Sequence, residues 1–348
     1  MKKNILIISS KENYVRGKLF LSDLKRKYSI SYIDYSGNFF LKNLKLFKIL
    51  FLKFDLIFIL WPLWSSFFIL KLLCLFKNKP IIYDAFTLTH EDYLDNFREP
   101  NFFVKKFYKI IDNFIFKNSS ALVTDTIFHK NKILKLINTE KKIEVIEVSQ
   151  KNLKTFNKLK NKNKFNLVHA GANRKCHDIP KMINMISKLP KKIKSKIHFK
   201  IITIDYFNNY RNLIKNLNCE NYIQVIKHLK FNQYLKIIKN SDICLGTFGS
   251  GSKAKSIISN FIVTSINYGK VVITSNTPAA KHYLGDSKSI ILLKKPEILN
   301  FKIFFDKYIN SIKFRKSVTG HSKKIFNKNF QASINLKKLN RLIINCLE

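Results

Sequence analysis

The stretch SDICLGTFGSGSKAKSIISNFIVTSINYGKVVITSNTPA, residues 241–279, decides how the chain is read. Residues 241–245 form a short apolar run, as a buried strand requires. Gly246, Gly249 and Gly251 follow it, and residues without a side chain let a loop bring its backbone close to another group. Residues 253–268 have helical length, Gly269 suits a C-terminal cap, and 271–274 is a second strand. Asn276-Thr277-Pro278 then joins a capping residue to a first-turn proline. A glycine loop between a parallel strand and a helix N-terminus offers unpaired N–H groups and the positive end of the helix dipole, a suitable setting for phosphate.

A second such loop lies upstream, in HAGANRKCHDIPKMI, residues 169–183. An apolar strand at 165–169 runs into Gly171, a basic turn carries Arg174, Lys175 and His177, and a helix begins near Asp178. Read alone, this is a diphosphate-binding turn or a solvated basic turn. Two phosphate-friendly loops in one domain are what a nucleoside diphosphate requires.

The surrounding pattern alternates strand and helix. In the first half, strands are expected at 4–9, 29–35, 55–61, 80–84, 121–124 and 143–148, with helices at 12–27, 40–53, 102–117 and 126–138. The polar segment AFTLTHEDYLDNFREP, residues 85–100, reads as a long functional loop. Apolar residues thin out over 149–164, where a linker is expected, and the βα rhythm then restarts. Strands follow at 165–169, 197–203, 222–226, 241–245, 271–274 and 289–293, with helices at 179–189, 206–217 and 232–240. The fold class is therefore α/β: two Rossmann-like, doubly wound parallel-sheet domains, 1–150 and 165–315, facing across a cleft. Helices at 316–348 are expected to return to the first domain.

Composition agrees with a folded, two-core chain: 348 residues, 46% hydrophobic, 31 of them Phe. The net charge of +42 points either to an anionic partner or to a Lys-rich composition spread over solvated faces. A surface this basic is attracted to anionic lipid headgroups in either case. The helix expected at 40–53 sets Leu41, Leu44, Phe47 and Phe51 among Lys42, Lys45, Lys48 and Lys53, so it packs one face on its domain or lies on a membrane surface. Residues 56–70 hold 15 uncharged positions, interrupted by Pro62, whereas a membrane span needs roughly 20. They read as a strand ending near Trp61 and a helix starting near Pro62. The N-terminus reads as a first strand, because its apolar run is too short for a signal peptide. Five widely spaced cysteines without a CxxC pair indicate reduced thiols and a cytoplasmic location. The aromatic residues fall in apolar-periodic segments, so nucleic acid is not an expected partner.

On these residues the chain resembles a retaining glycosyltransferase of the GT-B fold, similar to glycosyltransferase family 4 enzymes of bacterial surface-glycan assembly. The match is carried by Gly171, His177-Asp178, Phe248-Gly249, Lys253-Ala254, Asn260, Gly269-Lys270-Val271-Val272 and Thr277-Pro278-Ala279. In the first half it is carried by Asp84-Ala85-Phe86 and by Thr124-Asp125-Thr126 with His129. The resemblance implies sugar transfer with retention from a nucleoside-diphosphate sugar to a glycan or lipid-linked acceptor, at the inner face of the cytoplasmic membrane. It implies no cofactor and no metal, and the chain has no Asp-x-Asp motif. The donor and its diphosphate would meet Gly171, Arg174, Lys175, His177, Gly249, Lys253, Asn260, Thr264 and Thr277. The acceptor side would use Asp84, His90 or Asp92, with Asp125 and His129 nearby. The sequence departs from the family at Ser256, Ser259, Phe261, Thr264 and Asp178, where Arg, Pro, Lys, Glu or Gln, and Gly are usual. The second reading is accordingly a GT-B-like binding or scaffold protein without catalysis.

Overall fold

The computed structural model describes residues 2–9, 15–60, 63–96, 101–154, 163–227, 229–285, 287–295 and 297–348. The chain divides into two compact units: Met1–Lys151 with Ala332–Glu348, and Asn152–Gln331.

The first unit is a six-stranded sheet of β1 (Asn4–Ser9), β2 (Ser29–Asp34), β3 (Leu56–Ile59), β4 (Ile81–Asp84), β5 (Ala121–Thr124) and β6 (Ile143–Val145). All pairings are parallel, in the order β2-β1-β3-β4-β5-β6. Alternate strand residues sort onto two faces. Leu6, Ile8, Ile57 and Ile59 pack with Phe67, Leu70, Ile115 and Ile133. Ile5, Ile7, Leu56 and Phe58 pack with Phe20, Leu24, Leu339 and Ile343. Covering both faces is why these strands read as unbroken apolar runs rather than as alternation. The C-terminal helix Ala332–Leu347 covers the second face beside the helix Val15–Lys27, and Asn340 Nδ2 donates to Asp23 Oδ2 at 2.8 Å.

The second unit is built from β7 (Phe165–Ala170), β8 (Ile197–Thr203), β9 (Ile223–Lys227), β10 (Ile243–Leu245), β11 (Val271–Ser275) and β12 (Ile290–Leu293). Its strands are parallel in the order β12-β11-β10-β7-β8-β9. The direction of winding reverses between β7 and β10, which are neighbours in register Ile243↔Leu167 and Cys244↔Val168. Loops leaving the carboxyl ends of two strands diverge there, and open α/β sheets bind ligands in that crevice. Gly171 and Gly246 each follow one of these two strands.

Three expected elements differ. The helix expected at 253–268 spans only Asn260–Asn267, because Ser259 adopts extended backbone and its Oγ caps Ile262 N at 3.4 Å. The glycine loop is longer as a result, and Lys253 stands in a turn before the helix. The polar loop expected at 85–100 contains the helix Thr89–Asn96. Its N-terminal amides are capped from another helix: Thr89 N and His90 N donate to the two oxygens of Asp112, each at 3.0 Å. A cap supplied from 22 or 23 positions away leaves no local capping signature. The helix expected at 40–53 spans Phe39–Leu46 and tightens into a 3-10 turn, Phe47–Leu50. Trp61 and Pro62, expected at a strand end and a helix start, lie outside the described residues, as does 155–162 of the expected linker. Among the described residues no helix is long and apolar enough to cross a membrane.

Candidate functional site

The two glycine loops of the second unit are joined backbone to backbone. Phe248 N donates to His177 O and Gly249 N donates to Cys176 O, both at 3.1 Å. Gly249 permits this approach: a Cβ there would stand 2.1 Å from Lys175 O and 2.7 Å from Cys176 Cα. The space beside Gly251 is open, so that glycine makes no comparable approach. Lys181 bridges the same junction, donating to Phe248 O at 3.1 Å and pairing with Glu297, whose Oε1 accepts from Ser275 Oγ at 3.3 Å.

Asp178 occupies the helix start with φ +51 and accepts from Lys181 N at 3.3 Å. That left-handed backbone explains why a glycine suits the position, and Asp is among the few other residues that tolerate it. Burial raises the Asp178 carboxyl above its ordinary range, although Lys181 opposes the shift.

Behind the junction lie two imidazoles, the fully buried His169 and the half-buried His177, with ring centroids 5.3 Å apart. A Cβ on Gly171 would collide with both, at 2.7 Å from His177 Nδ1 and 3.0 Å from His169 Nε2. His169 Nδ1 donates to Leu245 O at 2.7 Å, which leaves its Nε2 as a lone-pair acceptor. His169 Nε2 and His177 Nδ1 are buried without a hydrogen-bond partner. Burial lowers His169 to about 4. Burial lowers His177 to about 3, with further contributions from His169, Lys253 and Arg174. His177 is therefore a neutral donor or acceptor at pH 7, not the cation that its basic neighbours suggest. Arg174, on one loop, and Lys253, on the other, thus both act electrostatically on the same imidazole.

The remaining donor-side residues divide. Lys175 is exposed on the turn. Asn260 opens its helix with Oδ1 buried and without a partner. Thr277 caps the next helix by accepting from Ala280 N at 3.2 Å. Thr264 is turned inward: its Oγ1 donates to Asn260 O at 2.8 Å within the helix, and the residue is 3% exposed. Sequence reasoning passed over His169, Lys181 and Glu297. The only signal for His169 is its place at the end of β7, eight positions before His177.

In the first unit, Asp84 ends β4 and is fully buried, paired with Arg16 at 3.0 Å. Arg16 also donates to Ile146 O at 2.6 Å. Burial pushes the Asp84 carboxyl up to about 6 against the pull of Arg16. Asp125 and His129, beyond β5, are equally enclosed, with Oδ1 and Nδ1 2.6 Å apart. Lys132 pairs with Glu91 at 2.7 Å beside them. Asp84, Asp125 and His129 are thus held as enclosed ion-pair and hydrogen-bond partners. His90 differs: it keeps an exposed edge at 14%, with Nδ1 held 2.7 Å from Asp112 Oδ2. Asp92, on the same helix, is half-buried. Among the described residues no three His, Cys, Asp or Glu side chains are grouped as a metal site would require.

No protein-family profile and no curated protein matches the chain. Solved structures do. The chain is similar to sucrose-phosphate synthase from Thermosynechococcus elongatus at a TM-score of 0.77 and 9% identity, over 99% of each chain. It is similar to Anabaena HepE in complex with UDP and glucose at 0.71 and 12% identity, over 99% of this chain and 100% of that one. It is similar to a glycosyltransferase from Rickettsia africae at 0.65 and 17% identity, over 100% of this chain and 99% of that one. This chain has the GT-B fold. At these identities the likeness establishes the fold, and its two parallel sheets are the two Rossmann-like units of that architecture.

Proposed function

We propose that the protein is a glycosyltransferase whose second unit binds a nucleoside-diphosphate sugar and whose first unit carries the acceptor. The observation that carries this reading is the loop junction at the β7/β10 reversal. There, two strand-end loops are locked together by backbone hydrogen bonds, and Arg174 on one and Lys253 on the other both lower the pKa of the neutral His177 electrostatically. Two cations beside a helix N-terminus suit a diphosphate and stabilise charge developing on it as it departs. The UDP complexes of Anabaena HepE, found in the same fold, support a nucleotide donor. In this reading the reaction proceeds with retention, without a metal or cofactor, onto a glycan or lipid-linked acceptor. The setting is bacterial surface-polysaccharide assembly on the cytoplasmic side, at an anionic membrane surface. In this reading His90, oriented by Asp112, meets the acceptor.

The test is calorimetry with a panel of nucleoside diphosphates, followed by turnover of the matching nucleotide sugars with lipid-linked or glycan acceptors. Nucleotide binding and sugar transfer are expected; absence of both with every donor overturns the proposal. One observation favours the catalytically inert alternative. Thr264 and Ser256, at positions where the resemblance expects larger functional side chains, are both buried and spend their hydroxyls on backbone carbonyls. Under that alternative, Arg174→Ala and Lys253→Ala leave glycan production in cells unchanged.

A further inference from the structure

The first unit carries an apolar surface that its own core does not use. Among the described residues, 15 of the 24 large hydrophobic side chains that are exposed fall in three segments, 39–51, 68–76 and 102–110. Phe40, Phe51 and Phe76 are 82–86% exposed. The three segments lie side by side on one face of the sheet. The helix Phe67–Leu75 packs against both Phe39–Leu46 and the turn Phe47–Leu50. On its other side, Phe67 and Phe68 meet Phe114 of the helix Phe102–Asn118 at 6.1 and 5.9 Å. Leu46, Ile49, Leu70, Leu73, Ile115 and Phe116 point inward and fill the core. A helix that is apolar all round is normally enclosed on every side. Here the outer side of Phe67–Leu75 keeps Phe68, Leu72 and Leu75 in the open.

Charge selects the occupant. Residues 39–53, 67–79 and 102–111 contain ten lysines and no aspartate or glutamate. Lys48, Lys53, Lys79, Lys105, Lys106 and Lys109 are exposed among the bare rings. Lysine interleaved with phenylalanine and leucine matches a surface whose outer layer is anionic and whose next layer is hydrocarbon. A second copy of the same face would set these lysines against one another.

We propose that the outer face of these three segments is a membrane-docking surface, which inserts its phenylalanine and leucine side chains into an anionic lipid bilayer while the lysines engage phosphate headgroups. This deepens the reading that the protein works at an anionic membrane surface, and it does not depend on sugar transfer. It also enlarges the amphipathic helix expected from the sequence into a face of three elements, large enough to fix the orientation of the unit on the bilayer.

The test is co-sedimentation of the full chain with vesicles of phosphatidylglycerol and phosphatidylcholine in about equal parts, and with phosphatidylcholine alone. No nucleotide or acceptor is added, so failure here is separate from failure of the transferase reading. Binding to the mixed vesicles is expected, falling at least roughly tenfold on neutral vesicles or in high salt. The triple variant Phe40→Ser, Phe51→Ser, Phe76→Ser is expected to weaken binding by roughly tenfold or more, with an unchanged circular-dichroism spectrum. Lys48→Glu with Lys106→Glu and Lys109→Glu is expected to do the same from the charged side. Equal binding to both vesicle types, indifference to either variant set, or a stable dimer that binds no vesicle overturns the proposal.

Discussion

Gly249→Ala tests whether the two loops of the second unit are locked together as described. The added methyl would begin 2.1 Å from Lys175 O and 2.8 Å from Cys176 O, both backbone atoms, so no side chain can swing aside to relieve it. Restoring ordinary contact separates the loops by about 1 Å. That displacement breaks the hydrogen bonds from Gly249 N to Cys176 O and from Phe248 N to His177 O. Each lost bond costs about 1 kcal/mol net, and more where a buried carbonyl is left unsatisfied, so a loss of about 3 kcal/mol is expected. For a unit of this size, spanning Asn152–Gln331, that corresponds to roughly 6–12 °C in melting temperature. Gly251→Ala is the control, because nothing lies within 4 Å of its Cβ position and its effect should stay within about 0.5 kcal/mol. The assay is urea unfolding of both variants, read at the transition of the second unit, with UDP calorimetry beside it. Affinity for UDP should fall roughly tenfold in Gly249→Ala alone, since the loops that carry Arg174 and Lys253 no longer hold their spacing. If both variants unfold together with the wild type and bind nucleotide equally, the close approach is not what joins the loops.

Other outcomes follow from the same geometry. Arg174→Ala and Lys253→Ala should each weaken UDP binding by roughly tenfold, more at low than at high salt, with little change in stability; calorimetry at two ionic strengths checks this. The His169 imidazole is held near 4, below its unfolded 6.5, so its contribution to stability is complete above about pH 6.5 and is lost as pH falls toward 4. The slope is about 1.4 kcal/mol per pH unit, and His169→Asn should remove it from urea midpoints measured between pH 7.5 and pH 5 (about the window of that shift). Asp84 acts with the opposite sign in the first unit. Its folded value near 6 lies above 3.8, so its stabilisation is present below about pH 4 and is lost as pH rises through 6. Asp84→Asn should flatten that limb in the first unit's transition. Asp112→Ala removes the acceptor of Thr89 N, His90 N and His90 Nδ1, and should destabilise the first unit by about 2–4 kcal/mol; Asp112→Asn should recover part of that loss.

The strand–helix alternation, the number of strands and the two glycine loops were legible in the chain because each rests on local pattern. Apolar runs, helical periods, Thr277 before Pro278 and Gly269 at a positive φ all act within a few residues of themselves. Local pattern also misled at the loop of 249–259, where composition allowed a helix from Lys253. The capping geometry of Ser259 delays it to Asn260. The polar run after β4 contains a helix because Asp112, distant in sequence, supplies its cap.

Which polar residues are available for chemistry was decided by the tertiary structure alone. Asp84, Asp125, His129 and Thr264 are the residue types that chemistry uses, and sequence cannot say that each is enclosed and already paired. The apolar side chains show the converse. Phe40, Phe68, Phe76 and Phe103 are as apolar as the residues of the core, and only packing shows that they stay outside it. Local backbone preference and periodicity depend on neighbours along the chain and are written there. Burial depends on what the parallel sheets and their helices bring together across it, and exists only once the chain has folded.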